Sequence, residues 1–124
     1  MKTNDIQQLI RQAQVSKSGS INLSNLNLTE LPPEMFLLRD LRYLHLSGNQ
    51  LTVLPSAIKN LSEIRSIELG NNRLDTLPAE IGELGKLESL DVRGNLLSSL
   101  PVEIGQLTNL KHLYLADNKL TILP

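Results

Sequence analysis

Residues 41–55 read LRYLHLSGNQLTVLP, and the same pattern of Leu, Asn and Pro returns three more times along the chain. A looser copy at 18–40 has Leu26 where the later copies have Asn. Self-similarity at a fixed period of roughly 20–50 residues indicates a stacked array of repeats. The later copies, each 23 residues apart, are IRSIELGNNRLDTLP at 64–78, LESLDVRGNLLSSLP at 87–101 and LKHLYLADNKLTILP at 110–124.

The first half of each repeat predicts a short β-strand. Apolar residues alternate with polar ones, as at Leu44 and Leu46, and a period of two places one face of a strand in the core. A single repeat cannot cover its own leucines, so successive repeats must stack with parallel strands about 4.8 Å apart. We expect right-handed crossovers between strands centred near residues 20–23, 43–46, 66–69, 89–92 and 112–115.

An asparagine follows each of the four later strands. The chain must turn there, which leaves backbone N–H and C=O groups without partners in the sheet. Because a carboxamide both donates and accepts hydrogen bonds, we expect a buried ladder in which each side chain serves its own turn and a neighbouring one. An Asn-lined binding site is the alternative, which the inward spacing disfavours. The ladder residues are Asn49, Asn72, Asn95 and Asn118.

A Leu-Pro pair ends the inner half of each repeat. Proline fixes φ and holds the preceding residue extended, so the chain returns from that point along the outer surface. The returning segments have apolar residues three apart, as at Ile81 and Leu84, but glycines such as Gly82 weaken a regular helix. We therefore expect short helical or 3₁₀ turns on the convex side.

Residues 1–17 precede the repeats and predict an N-terminal amphipathic capping helix. Ile6, Leu9, Ile10 and Ala13 lie on one helical face, and an array needs its first repeat covered. A membrane-binding or partner-binding helix is the alternative, which the narrow apolar stripe and the few basic residues disfavour. The predicted organisation is a cap over 1–17 and five repeats over 18–124, the last of them incomplete.

Composition argues against several classes of function. A formal net charge of −1 gives no long-range field to hold nucleic acid or an anionic membrane. The sequence has no cysteine, which removes disulfides, thiolate metal sites and thiol nucleophiles. The polar N-terminal segment does not resemble a signal peptide. We expect a cytoplasmic protein that uses no cofactor, no metal and no membrane anchor.

These repeats resemble the leucine-rich repeat superfamily, and within it the short intracellular class that carries N-x-L-x-x-L-P-x-x-I-x-x-L. The match covers residues 18–124. Similar arrays occur in Ras-suppressor-type scaffolds, plant intracellular Ras-group proteins, Roco GTPases and many bacterial proteins. The resemblance implies an α/β solenoid, curved and right-handed, with a parallel concave sheet that binds a protein partner.

The outward positions of the predicted strands hold the candidate contact residues. Both tyrosines and both histidines of the chain fall at these positions, and aromatic side chains are favoured anchors in protein interfaces. The alternative is that these are ordinary solvated positions, with the tyrosines placed there by β-propensity. The predicted contact surface comprises Tyr43, His45, Glu68, Asp91, Arg93, His112 and Tyr114.

Catalysis is not expected from these positions. His45 and His112 lie three strands apart, roughly 14 Å, so they cannot share a metal ion. Glu68 and Asp91 lie on adjacent strands, about 5 Å apart, but on an open surface that does not exclude water. Arg93 is near enough to help neutralise the two carboxylates. The sequence therefore favours a non-enzymatic protein-binding module. The alternatives are the recognition segment of a larger signalling protein, such as a GTPase or kinase regulator, and a self-assembling structural unit.

The last repeat carries a further prediction. Leu113, Leu115, Leu120 and Leu123 should form a core layer over which the sequence places no further repeat. Its strand also offers unpaired N–H and C=O groups, which can template another chain. We predict either fraying beyond about Asn109 or a two-fold homodimer through residues 110–124.

Overall fold

The computed structural model describes residues 3–124, with side chains from Asp5 onward, so the first two residues of the predicted cap lie outside the described residues. Within this range the chain forms one helix, α1 (Thr3–Ser16), and five strands of three residues each. The strands are β1 (Ser20–Asn22), β2 (Tyr43–His45), β3 (Ser66–Glu68), β4 (Ser89–Asp91) and β5 (His112–Tyr114). Each strand ends one residue earlier than predicted.

The five strands lie side by side in chain order and every pair is parallel. Each link between neighbouring strands contains one 3₁₀ turn that begins directly after an extended proline, as at Pro78 with φ −72° and ψ 148°. The predicted curved solenoid, with its sheet on the concave side and short turns on the other, is confirmed. The turns are Pro33–Leu37, Ser56–Asn60, Ala79–Glu83 and Val102–Gln106.

The register of the sheet places equivalent repeat positions next to each other. Leu44 of β2 pairs with Ile67 of β3, which pairs with Leu90 of β4, and all three side chains are fully buried. Each inward row is therefore a continuous apolar layer shared between repeats. Each outward row likewise contains the residues that occupy the same repeat position on the five strands.

α1 covers the first layer of this core. Ile6 and Ile10 are buried, and Leu9 and Ala13 are partly buried against the same cluster. The four residues of the predicted apolar stripe thus all pack onto the array.

The ladder asparagines bind backbone groups of two successive turns. Oδ1 of Asn72 accepts the N–H of Leu51 at 3.1 Å, and its Nδ2 donates to the carbonyls of Leu46 and Leu69 at 3.0 Å. Asn49 also accepts the N–H of Leu26 at 3.0 Å. Although Leu26 has no carboxamide, the backbone of its turn therefore has a hydrogen-bond partner in Asn49 of the second repeat.

The residue before each ladder asparagine has a positive φ, which Gly, Asn and Asp tolerate best. An Asn at this position in one repeat requires Gly in the next. A Cβ atom at Gly94 would collide with the carboxamide of Asn71. The four positions are Gly48, Asn71, Gly94 and Asp117, with φ between 57° and 74°.

The final layer is less well covered than the others. Leu113 and Leu115 are half-buried, whereas Leu90 and Val92 one repeat earlier are fully buried. The prediction that Leu123 joins this layer is wrong: its side chain is 62% exposed at the open end of the array, whereas Leu120 packs against the core. The fraying or dimerisation expected for this layer stays a prediction.

Candidate binding surface on the sheet

Three rows of outward side chains cross the concave face, which we define as the sheet surface formed by the third, fifth and seventh residues of each repeat. The seven predicted contact residues all lie in these rows and are half-buried or exposed. They fall into two groups, one around β2 and β3 and one around β4 and β5. The third row is Ser20, Tyr43, Ser66, Ser89 and His112, and the fifth row is Asn22, His45, Glu68, Asp91 and Tyr114.

The first group is held by a contact between neighbouring strands. Nδ1 of His45 lies 2.6 Å from Oε2 of Glu68. A carboxylate oxygen accepts, so the hydrogen is on Nδ1 of the imidazole. The pair is only partly buried, with the two side chains 32% and 45% exposed.

The second group contains a bidentate ion pair at the end of β4. Nε and Nη2 of Arg93 donate to the two carboxylate oxygens of Asp91 at 3.0 and 2.7 Å, and the backbone N–H of Arg93 donates to the same carboxylate. Burial raises the pKa of Asp91, but the hydrogen bonds and charge of Arg93 outweigh it and hold that pKa below its ordinary value. The same contact raises the pKa of Arg93.

Glu68 and Asp91 are register partners on β3 and β4, as predicted from the repeat. Each carboxylate is held by a different cationic or hydrogen-bonding partner, His45 for one and Arg93 for the other. Because Asp91 is ionised at neutral pH, it is poorly suited to be a general acid. The arrangement is that of two separate polar pairs.

Arg93 also joins an aromatic stack on β5. Its guanidinium carbon lies 4.8 Å from the centre of the Tyr114 ring, within cation–π range. The rings of His112 and Tyr114 are 6.0 Å apart and within 6° of parallel. We call Asp91, Arg93, His112 and Tyr114 the stacked cluster. Its members contact one another in sequence. The proximity of Arg93 to Asp91 was predicted, whereas the stacking of Arg93 on Tyr114 was not.

Tyr43 stands alone at the other side of the concave face. Its side chain is 44% exposed, close to the 40% of Tyr114. Between β2 and β5 the third row contains only Ser66 and Ser89. Tyr43 and His112 therefore flank two short side chains in the third row, over three strand spacings or roughly 14 Å.

The structure adds a second feature that the sequence analysis missed. At the edge where the strands begin, an open groove of about 500 Å³ runs across β2 to β5. Oε2 of Glu88 accepts a hydrogen bond from Nη1 of Arg65 at 3.1 Å, and its Oε1 lies 3.8 Å from Nζ of Lys111. The available clue was that the residue before four of the five strands is charged. We call this the edge groove; it is lined by Arg42, Tyr43, Arg65, Ser66, Glu88, Ser89, Lys111 and His112.

Neither metal ligation nor membrane crossing has support in the described part of the chain. Residues 5–124 contain no group of three or more His, Asp or Glu side chains placed to hold a metal ion. Within residues 3–124, no helix has the length and apolar character needed to cross a membrane.

The sequence matches two family models. The model described as a leucine-rich repeat region matches residues 56–124, and the model described as a leucine-rich repeat matches residues 19–74. A search of curated proteins found no match.

Two solved structures are similar to the whole fold. One is a leucine-rich repeat protein of Leptospira interrogans, with 32% identity and a TM-score of 0.79 over 96% of this chain. The other is the leucine-rich repeat domain of the type III effector XopL, with 24% identity and a TM-score of 0.87 over 98% of this chain. The present chain spans 36% and 44% of the lengths of those two chains.

Proposed function

Because the chain belongs to the leucine-rich repeat family, we propose that it is a non-catalytic module whose concave face binds a protein partner. Leucine-rich repeat domains generally mediate protein–protein interaction, and the fold is typically non-catalytic. The seven outward residues predicted from the sequence are the proposed contacts. The stacked cluster is the observation that carries this proposal.

The stacked cluster has the chemistry of an interface anchor. Tyr and Arg are enriched among the residues whose truncation costs most binding energy. Arg93 is already fixed by Asp91 on one side and by the Tyr114 ring on the other. A side chain that is ordered before binding loses less conformational entropy when a partner arrives.

The charges of the concave face also suit burial under a partner. Covering an unpaired charge is costly, whereas covering a charge with a hydrogen-bonded partner costs less. Glu68 has His45, and Asp91 has Arg93. A partner could thus cover both pairs without leaving an isolated carboxylate or guanidinium group.

The size of the face limits how it is used. Five strands about 4.8 Å apart and three residues of about 3.3 Å each give an area of roughly 240 Å². A standard interface buries about 800 Å² on each partner. The partner must therefore contact neighbouring surfaces as well as the sheet.

We expect the double change Tyr43→Ala and Tyr114→Ala to weaken binding at least about tenfold, because it removes both aromatic anchors. The partner is first isolated by affinity capture with the intact protein, and its Kd is then measured for each variant. Both tyrosines are 40% exposed or more, so the free energy of unfolding should change by less than about 1 kcal/mol.

Lys59→Ala is the control, since Lys59 is exposed on the convex 3₁₀ turn Ser56–Asn60. It should leave the Kd unchanged. If Lys59→Ala weakens the complex while the tyrosine variant does not, the partner binds on the convex side and the proposal is wrong.

A further inference from the structure

We propose that the edge groove binds an acidic, extended segment of the protein partner. This inference rests on the proposed function and names the chemistry that the partner must carry. Its basis is the charge, shape and spacing of the groove.

The edge groove has an excess of positive charge in a chain whose formal net charge is −1. Its charged residues are three cations and Glu88, which lies between Arg65 and Lys111. Arg42 makes no ion pair with any other residue whose side chain the structure describes. The formal charges of the residues that line the groove therefore sum to +2.

The surroundings of the groove do not cancel this excess. The recess beside Arg42 is lined by Lys17, Asp40 and Glu63. Glu63 is held at 2.7 Å by Lys86, so these four neighbours carry no net formal charge. On the concave face Arg93 matches the charge of Asp91, and with His45 counted as neutral Glu68 leaves one formal negative charge, fewer than the two positive charges of the groove. A partner's negative charge is therefore best complemented at the edge groove.

The spacing of the cations fits the repeat of an extended chain. Arg42, Arg65 and Lys111 directly precede β2, β3 and β5, so the outer two are about 14 Å apart at 4.8 Å per strand. Residues i and i+4 of an extended segment are also about 13–14 Å apart, and alternate side chains point the same way. Carboxylates at positions i and i+4 could therefore face Arg42 and Lys111 together.

Two further features favour a peptide as the occupant. Tyr43 and His112 lie at opposite ends of the groove, where aromatic surface can cover the apolar parts of a peptide. Arginine guanidinium groups bind carboxylates in bidentate geometry. Nucleic acid is less suitable, because its affinity comes mainly from neutralising many phosphates with Lys and Arg, whereas the groove has three cations, one of them paired with Glu88.

The test is fluorescence anisotropy with the whole chain and a fluorescein-labelled peptide of alternating Glu and Ser. We expect binding that weakens with salt, and no binding of the matching Lys-Ser peptide. The variant Arg42→Gln, Arg65→Gln, Lys111→Gln should bind the Glu-Ser peptide at least about tenfold more weakly. Thermal melts establish that each variant is folded.

A charge-matched control separates the groove from net charge. The variant Arg11→Gln, Lys59→Gln, Arg73→Gln removes three exposed cations elsewhere and should retain the peptide affinity within about twofold. Equal losses in the two variants, or full retention in the groove variant, would overturn the inference. Tighter binding of single-stranded oligothymidylate than of the Glu-Ser peptide would also overturn it, in favour of nucleic acid.

The same variants keep this inference distinct from the proposed function. If the tyrosine double variant weakens the captured partner and the groove variant does not, the inference is wrong and the proposed function stands. If the tyrosine variant binds normally and the groove variant fails, the concave-face proposal is wrong instead.

Discussion

Replacing Asn72 by Ala is expected to lower the free energy of unfolding by about 2 kcal/mol. The change leaves the N–H of Leu51 without its acceptor, in a region where Asn72 itself is only 7% exposed. The carbonyls of Leu46 and Leu69 lose one donor each but keep a second, from Asn49 and Asn95 respectively. Each buried polar group left unsatisfied costs roughly 1–3 kcal/mol, reduced where the turn relaxes or admits water. Urea unfolding at equilibrium measures the loss.

Asn118→Ala is the matched control for this prediction. Asn118 makes the same kind of contacts, with Leu97, Val92 and Leu115, but it is half-buried in the last repeat. Water can replace a carboxamide there, so the loss should be only about 1 kcal/mol. If both variants unfold within about 0.3 kcal/mol of the parent, the ladder does not stabilise the array.

Gly82→Ala is expected to cost about 2 kcal/mol, because the glycine lets two 3₁₀ turns pack closely. A Cβ atom at residue 82 would lie 2.6 Å from the carbonyl oxygen of Glu103 and 2.8 Å from its Cβ atom. The carbonyl oxygen and Cβ atom of Glu103 cannot rotate out of the way, as the end of a flexible side chain could. The turns Ala79–Glu83 and Val102–Gln106 must therefore separate, which disturbs the buried layer beneath them.

Gly105 occupies the same repeat position one unit later and supplies the control. A Cβ atom there meets nothing within 4 Å, so Gly105→Ala should be neutral or stabilise by up to about 1 kcal/mol through the unfolded state. The difference between the two variants isolates packing between repeats from helix propensity. Equal effects in a urea titration would contradict the packing explanation.

The periodicity of the sequence was sufficient to predict the architecture. A spacing of 23 residues placed Leu44, Ile67 and Leu90 in one layer, and the structure pairs them directly. The predicted strands differed only in length. The register pairing ends at the third residue, although the fourth residue of β2, Leu46, still donates its N–H to the carbonyl of Glu68 at 2.8 Å. The repeat also predicted correctly that Glu68 and Asp91 would be neighbours.

Side-chain partners on the concave face were less accessible to sequence reasoning. Whether Asp91 would interact with Glu68 or Arg93 depends on rotamers that spacing alone does not determine. The stacking of Arg93 on Tyr114 depends in turn on that choice. The edge groove does not follow from the outward rows of the repeat, because its charged residues directly precede the strands. These residues are Arg42, Arg65, Glu88 and Lys111.

Site-specific photocrosslinking of the captured partner tests the central claim most directly. A photoreactive benzoylphenylalanine replaces Tyr43, Tyr114 or Lys59 in separate variants of the intact protein, and each complex is irradiated and analysed by mass. The concave-face account predicts crosslinks from positions 43 and 114 and none from position 59, which lies on the convex turn. Crosslinks from position 59 alone, in complexes with undiminished affinity, would contradict it.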